Sequence, residues 1–443
     1  MRKARNLTTG SIGKQIVGLA LPILGSGFLQ MLYNFVDMAW LGRLGSEYLA
    51  AAGAASVFFW LSTSLSLLNK VGGEVTVAYE VGAHHEEGAR DYAGHVSTLG
   101  VLMGLIVMIV YLLLAHPFIG FYRLSPMIHG YGVNYLRIGA LGLPLTYLTV
   151  ALTGVYNASG RSEVPFRATA IGVLTNLILD PLFIFVLDLK IEGAAIATVL
   201  SQSVVLLLIL RRLSLDRLFG GFPLLGHLSL ATTRAILKIG TPVALMNSLM
   251  AIISMNLGRF ASVAGGHIGV TTISVGGQLE GISWNTGQGL STSLSAFVSQ
   301  NYGARQPDRI KGGLSFTLKV AAVVGAFGFA LNYFFGDWLF GLIIPEAEAI
   351  SAGATYLRIN APAQLFMMVE ITFQGFFYGM KRSLPPALIS IGGNALRIPL
   401  AMLLLPLFPG VETIWWIICG TCFLKGSAIL IYYLATHQKL LRQ

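Results

Sequence analysis

The segment 14–43 of the chain reads KQIVGLALPILGSGFLQMLYNFVDMAWLGR. Between its two charged ends lie 28 residues, and only one of them, Asp37, is ionised at neutral pH. A helix rises about 1.5 Å per residue, so this segment can cross a hydrocarbon core about 30 Å thick. A carboxylate inside such a span costs about 2.5–3.5 kcal/mol, which favours a functional site. The alternative is an acid that reaches the membrane interface near the helix end.

The composition is that of a polytopic membrane protein. Apolar residues make up 55% of the chain and charged residues 11%, with a mean hydropathy of +0.72, whereas a soluble domain has roughly 25% charged residues. The net charge of +10 comes from short basic clusters between apolar spans. This pattern is typical of a topology signal, so we expect surrounding membrane lipid and no nucleic-acid partner.

Twelve apolar segments follow one another along the chain. Backbone polar groups find no water inside a bilayer, so each segment is predicted to be a helix and the fold to be an all-α membrane protein. The predicted spans are 15–41, 48–80, 94–116, 130–155, 165–187, 193–212, 235–260, 268–300, 314–336, 352–379, 385–407 and 412–436.

The distribution of Lys and Arg predicts the orientation. With the N-terminus inside, the inner segments hold 19 of the 29 basic residues and the outer segments hold 4. The excess on the inner side predicts a multi-pass protein of the cell membrane with both termini in the cytoplasm.

The two halves of the sequence resemble each other. The tetrapeptide YLRI at 135–138 recurs at 356–359, a displacement of 221 residues. A repeat of six helices keeps both copies in the same orientation, so we predict two six-helix lobes related by a pseudo-two-fold axis along the membrane normal. The predicted divisions are an N-lobe, a cytoplasmic linker and a C-lobe at 1–212, 213–234 and 235–443.

Two carboxyl groups of the N-lobe are predicted to lie at similar depth. Asp37 precedes Arg43 by six residues and Asp180 precedes Lys190 by ten, on segments that both run outward. Asn176 lies four residues before Asp180 and therefore on the same helix face. Two close carboxylates away from water repel each other, so at least one is expected to bind a proton near neutrality. The same oxygens can ligate sodium, and the sequence leaves this choice open.

Other polar residues accompany these acids. Tyr33 and Asn34 share a helix face with Asp37, and Thr198 lies in a small, apolar stretch of the sixth segment. For Asn176 and Thr198 the alternative is a hydrogen bond between helices, worth under about 1 kcal/mol. The predicted proton or cation site, with Na+ as its one metal candidate and no other cofactor, is Asp37, Asn176, Asp180 and Thr198.

The repeat indicates that this acid pair belongs to one lobe. The counterpart of Asp180 is Ile398, and that of Asp37 falls near Leu257 or Gly258. We therefore expect the coupling chemistry to be confined to the N-lobe.

Two buried acids of the C-lobe, Glu280 and Glu370, are candidates for contact with a cationic substrate. For Glu370 the alternative is an ion pair with Arg358 or Arg397. Glu74, in the inner third of the second segment, is expected to lie at the membrane interface.

Pro22 lies within the first segment, fifteen residues before Asp37. A proline in mid-helix removes one backbone hydrogen bond and permits a kink. We predict a hinge at Pro22 whose bend responds to protonation near Asp37.

The motifs LYNFVD at 32–37 and NLILDP at 176–181, within a six-plus-six plan, resemble the multidrug and toxic compound extrusion (MATE) family, most closely its DinF-like branch. The resemblance extends over essentially the whole chain and implies cation-coupled antiport of drugs or toxic organic compounds. Thr153 departs from the asparagine expected in the fourth helix. Residue by residue, the resemblance implies an ion site, a cavity tyrosine and a helix bend at Asp37, Asn176, Asp180 and Thr198, at Tyr33, and at Pro22.

We therefore expect a monomeric antiporter that exports small organic substrates, cationic or amphipathic, in exchange for H+ or Na+ by alternating access. The alternative is a flippase for lipid-linked or amphipathic cargo, which the few intramembrane arginines argue against. The sequence lacks a nucleophile–base set, zinc-ligand spacing and a phosphate-binding loop, so an enzyme is not expected.

Overall fold

A computed structural model describes most of the chain, and across the described part the structure is helical without a β-strand. The predicted linker 213–234 lies largely outside the described residues and stays a prediction. The described residues are 6–122, 124–214, 225–226, 228–343 and 347–441.

The first half contains seven α-helices and one π-helical turn. The α-helices are α1 (Ile12–Leu44), α2 (Ser46–Gly82), α3 (Glu86–Gly120), α4 (Pro126–Leu141), α5 (Leu143–Ala158), α6 (Glu163–Pro181) and α7 (Lys190–Ser214). The π-helix Leu182–Val186 directly follows α6.

The second half begins with a very long helix, α8, that is broken by non-helical backbone at Gly266. Its helices are α8 (Leu230–Gly303), α9 (Pro307–Phe334), α10 (Gly336–Gly341), α11 (Ala347–Gly379), α12 (Leu384–Ala395), α13 (Arg397–Leu404) and α14 (Val411–Leu441).

The predicted all-α membrane fold is confirmed. Among the described residues, nine helices are long and apolar enough to cross a membrane, and the bent pair α4–α5 provides a tenth. The second part of α8, 267–303, and α11 are the two remaining long helices. Together these make six helical spans before the linker and six after it.

Several spans are broken where the sequence predicted continuous helices. Helices α4 and α5 meet at 48° around Gly142. After Pro181 the hydrogen-bonding pattern widens, and Leu187 donates its N–H to the carbonyl oxygen of Leu182 at 2.9 Å. At Gly266 the backbone has a φ of 57°, a left-handed value that glycine adopts readily, so α8 consists of two helices joined without a loop.

The described chain divides into two compact units. Unit 1 comprises 1–7 and 18–244, and unit 2 comprises 8–17 and 245–443. The first residues of α1 therefore group with unit 2, and the remainder of α1 groups with unit 1.

The 221-residue repeat is visible in the backbone of each unit. His84 after α2 and Arg305 after α8 both have positive φ values, 61° and 55°. Gly160 after α5 and Lys381 after α11 do the same, at 74° and 59°. These pairs are each 221 residues apart, so equivalent helices end with the same left-handed residue.

Candidate cation site

The site in unit 1 begins with two side chains of α6. Asn176 and Asp180 are 1% and 0% exposed, and the Asn176 amide donates a hydrogen bond of 2.9 Å to Asp180 Oδ1. Both lie one turn apart on the same helix face, as the sequence predicts. Because the α-helix changes to a π-helix after Pro181, Asp180 sits immediately before an irregular turn, a feature that often marks functional sites.

Helices α1 and α7 contribute the next side chains. Thr198 on α7 donates to the carbonyl oxygen of Ala194 at 3.0 Å. Its oxygen lies 2.9 Å from the hydroxyl of Tyr33, so Tyr33 is the donor of that second bond. Tyr33 interacts electrostatically with both Asp37 and Asp180. The structure therefore brings the predicted residues of three helices into one cluster.

Tyr135 on α4 is a member of this cluster that the sequence did not identify as a site residue. It is buried, its hydroxyl is a hydrogen-bond partner of the Asp37 carboxylate, and it interacts electrostatically with Tyr33 and Asp180. The available signal was the repeat itself, because Tyr135 is the first residue of the duplicated tetrapeptide.

The two carboxyl groups repel each other across the cluster. Asp37 Oδ1 and Asp180 Oδ2 are buried, and in the part of the chain that the structure describes neither has a hydrogen-bond partner. A buried charged oxygen without a partner is costly. A proton on one carboxyl group, or a cation shared by both, would remove that cost.

The donor set fits either ion. Carboxylate, carboxamide and hydroxyl oxygens are hard ligands suited to a hard cation such as Na+. The described residues contain no group of three or more His, Cys, Asp or Glu side chains arranged to hold a metal, so the pair of acids is a site for a weakly held monovalent ion or a proton.

Two predicted cavity residues lie apart from these contacts. Asn34 on α1 is exposed. Thr153 on α5 is half-buried and donates to the carbonyl oxygen of Thr149 on its own helix at 2.8 Å. Pro22 lies inside α1 as predicted, and its carbonyl oxygen accepts a hydrogen bond of 3.0 Å from Ser26; its role as a hinge stays a prediction.

The two predicted acids of unit 2 have different surroundings. Glu370 is buried and forms an ion pair of 3.0 Å with Lys425, rather than with Arg358 or Arg397 as the sequence suggested. Glu280 is half-buried, and one of its oxygens accepts a hydrogen bond of 3.0 Å from Tyr356.

Glu74 is a correction to the sequence prediction. It was expected at the membrane interface, but it is 4% exposed. It lies close to Lys70 on the same helix and hydrogen-bonds with Asn157 of α5. Its basic neighbour one turn away on α2 explains why a buried position is tolerated.

Comparisons with known proteins agree with this architecture. The MatE family model matches residues 22–182 and 242–403. The chain is 22% identical to the probable multidrug resistance protein NorM of Thermotoga maritima, covering 96% of this chain and 92% of that protein. It is 25% identical to the FAD transporter of Shewanella oneidensis, covering 98% and 97%.

A solved structure has the same fold. It is the outward-facing conformation of a multidrug resistance MATE family transporter of the MOP superfamily, with a TM-score of 0.92 at 22% identity and 99% coverage of both chains. The two matched segments of the family model begin at Pro22 and Pro242, one in each half of the repeat, and together span most of the sequence. The chain therefore belongs to the MatE family, the multidrug and toxic compound extrusion (MATE) transporters.

Proposed function

We propose that this protein exports small organic molecules across the cell membrane in exchange for protons or sodium ions, by alternating access. The observation that carries the proposal is the buried pair Asp37 and Asp180, each with a carboxylate oxygen that has no partner among the described residues. Such a pair changes its charge when it binds a proton or Na+, and so its affinity for the ion can be linked to the conformation of the helices that hold it.

Each helix of the cluster supports a distinct role. Asp37 and Asp180 bind the ion, while Asn176 and Tyr135 hold one carboxylate each through hydrogen bonds. The bond between Tyr33 and Thr198 joins α1 to α7 beside the ion. Movement of α1 would therefore alter the ion site directly.

We propose cationic or amphipathic compounds as the broad substrate class, transported by a monomer with both termini in the cytoplasm. The printed names of the relatives support a transport cargo of organic molecules, since they include multidrug resistance proteins and an FAD transporter. The flippase alternative draws no support from those names.

The first test is dye efflux from a drug-sensitive host that expresses Asp37→Asn, Asp180→Asn or both. We expect the amides to keep the fold but lose the ion-dependent charge, so that efflux falls at least about tenfold, equivalent to about 1.4 kcal/mol. Asp188→Asn, in an exposed turn between α6 and α7, is the matched control and should export normally. Uphill export by the double variant at the wild-type rate would refute the proposal.

The coupling ion is identified in proteoliposomes. A pH gradient without sodium and a sodium gradient at equal pH are imposed separately, and uptake of the dye is recorded. Transport driven by one gradient alone names the ion, and the Asp37→Asn vesicles should respond to neither.

A further inference from the structure

The duplicated tyrosine contacts an acid in both units. In unit 1, Tyr135 is a hydrogen-bond partner of Asp37. In unit 2, Tyr356, the residue 221 positions later, donates to Glu280 at 3.0 Å. Both tyrosines are buried. The tyrosine thus performs the same task twice, although the sequence repeat predicts an acid site in the first half alone.

The two acids reach their tyrosines from different helices. The counterpart of Asp37 in unit 2 is Gly258, and the counterpart of Glu280 in unit 1 is Phe59. The Phe59 ring packs edge-on against Tyr135, with ring centroids 6.1 Å apart. In unit 2 a carboxylate therefore occupies the position relative to the tyrosine that an aromatic ring occupies in unit 1. A comparison of equivalent positions alone cannot detect such a relocated acid.

A buried arginine distinguishes the unit 2 cluster from the unit 1 site. Arg397 at the start of α13 is 5% exposed and interacts electrostatically with Glu280. Its guanidinium donates to Thr421 at 2.8 Å and to the sulfur of Cys422 at 3.4 Å. The titratable groups that interact with Glu280 are Tyr356 of α11, Arg397 of α13 and Cys419 of α14.

The charge of each cluster selects its ligand. The unit 1 pair carries two negative charges when ionised, which suits Na+ as well as a proton. In unit 2 the charges of Glu280 and Arg397 sum to zero, so a second cation entering the cluster meets repulsion from the guanidinium. A proton differs because it bonds to the carboxylate itself, cancels that charge and leaves Arg397 as the only charge.

We propose that Glu280 is a second proton-binding site, located in unit 2 and insensitive to sodium, with Tyr356 as its positioning residue. Its binding of a proton stands on the unit 2 geometry. Its contribution to antiport, one proton per cycle in addition to the ion of unit 1, rests on the function proposed above.

The test is infrared difference spectroscopy of the purified full-length protein, titrated over pH with and without sodium chloride. Protein labelled with ¹³C at the glutamate carboxyl group separates the C=O band of protonated glutamate from that of protonated aspartate. We expect a pH-dependent glutamate band that sodium leaves unchanged and that Glu280→Gln removes. The Asp37→Asn/Asp180→Asn variant should keep this band and lose the aspartate signal.

Two further variants complete the design. Glu280→Asp should restore a protonated carboxyl band, now in the aspartate region of the labelled sample. Glu370→Gln/Lys425→Met, which removes the other buried acid of unit 2, should leave the Glu280 band in place. An unchanged glutamate band in a folded Glu280→Gln protein would overturn the proposal, as would a band that sodium abolishes. Neither result depends on transport, so loss of efflux in the Asp37 and Asp180 variants remains a separate question.

Discussion

Lys425 and Glu370 are in direct contact inside unit 2, 7% and 4% exposed. Glu370 also accepts hydrogen bonds from Gln374, at 3.1 Å, and from Ser390. A charge pair with this many partners is satisfied internally, in contrast to the Asp37 and Asp180 oxygens that have none among the described residues. Glu370 is therefore a poor candidate for the substrate contact that the sequence suggested.

Removing only the ammonium group should be costly. We expect Lys425→Met to lower the free energy of unfolding by about 3–5 kcal/mol, because it leaves the Glu370 charge buried and unpaired. Glu370→Gln/Lys425→Met removes both charges and keeps the hydrogen bonds to Gln374 and Ser390, so it should recover most of that loss. Denaturation of the detergent-solubilised protein measures both. A double variant as unstable as Lys425→Met alone would contradict this explanation.

The residues that the sequence identified are those whose chemistry is conspicuous in an apolar span. Asp37 and Asp180 are ionisable groups where burial is expensive, and Asn176 follows from its spacing of four. Tyr135 could not be singled out in the same way, because a tyrosine is common in membrane helices and its hydroxyl reveals nothing until its partner is known. The pairing of Glu370 with Lys425 joins α11 to α14, and no local spacing predicts a contact between distant helices.

Helix packing repeats between the units at the level of single glycines. A Cβ atom on Gly104 of α3 would lie 2.7 Å from the Cα atom of Pro144 on α5. A Cβ atom on Gly325 of α9 would lie 3.2 Å from the Cα atom of Leu365 on α11. Both members of each contact are displaced by 221 residues. Close approach of helix backbones through small residues is a common means of packing in membranes.

This matched pair gives a prediction with an order. Gly104→Ala forces backbone to move, so we expect it to destabilise the protein by about 1–3 kcal/mol. Gly325→Ala meets a looser contact and should cost clearly less. Thermal unfolding of both variants in the same detergent provides the comparison, and Gly53→Ala, where a Cβ meets nothing within 4 Å, is the control. Equal losses at the two glycines would show that packing around them is not what the structure indicates.

The elements themselves were predictable and their interruptions were not. Long apolar segments specify helices because the membrane leaves the backbone no other partners. The bend at Gly142 and the π-helix after Pro181 depend on which carbonyl oxygens a neighbouring helix leaves accessible. The sequence contains a glycine and a proline at these points, but both residues also occur in unbroken membrane helices.

At the scale of the whole molecule, α1 is shared between the two units. Residues 8–17 group with unit 2 and the chain from Gly18 onward groups with unit 1. At its beginning α1 is tethered within unit 2, where Arg309 donates to the carbonyl oxygen of Gly10 at 2.8 Å. Pro22 lies just after the division, so the predicted hinge would bend α1 between its two attachments, close to the helix that carries Asp37.

The orientation in the membrane remains a prediction, and the structure supplies sites at which to test it. His85 lies between α2 and α3 with an exposed side chain, and Asp188 lies in the exposed turn before α7. The excess of basic residues predicts that the first is cytoplasmic and the second external. The two native cysteines, Cys419 and Cys422, are buried, so the unmodified protein is a suitable background.

An impermeant thiol reagent should therefore label Asp188→Cys in intact cells and His85→Cys only in inverted vesicles, with little labelling of the wild-type protein in either. Both substitutions replace exposed side chains, for which stability changes are usually within about 0.5 kcal/mol, so the labelled proteins should keep dye efflux. The reverse labelling pattern would place the termini outside. Asp37 and Asp180 would then lie nearer the cytoplasmic surface, and the ion that drives export would enter the site from the opposite side.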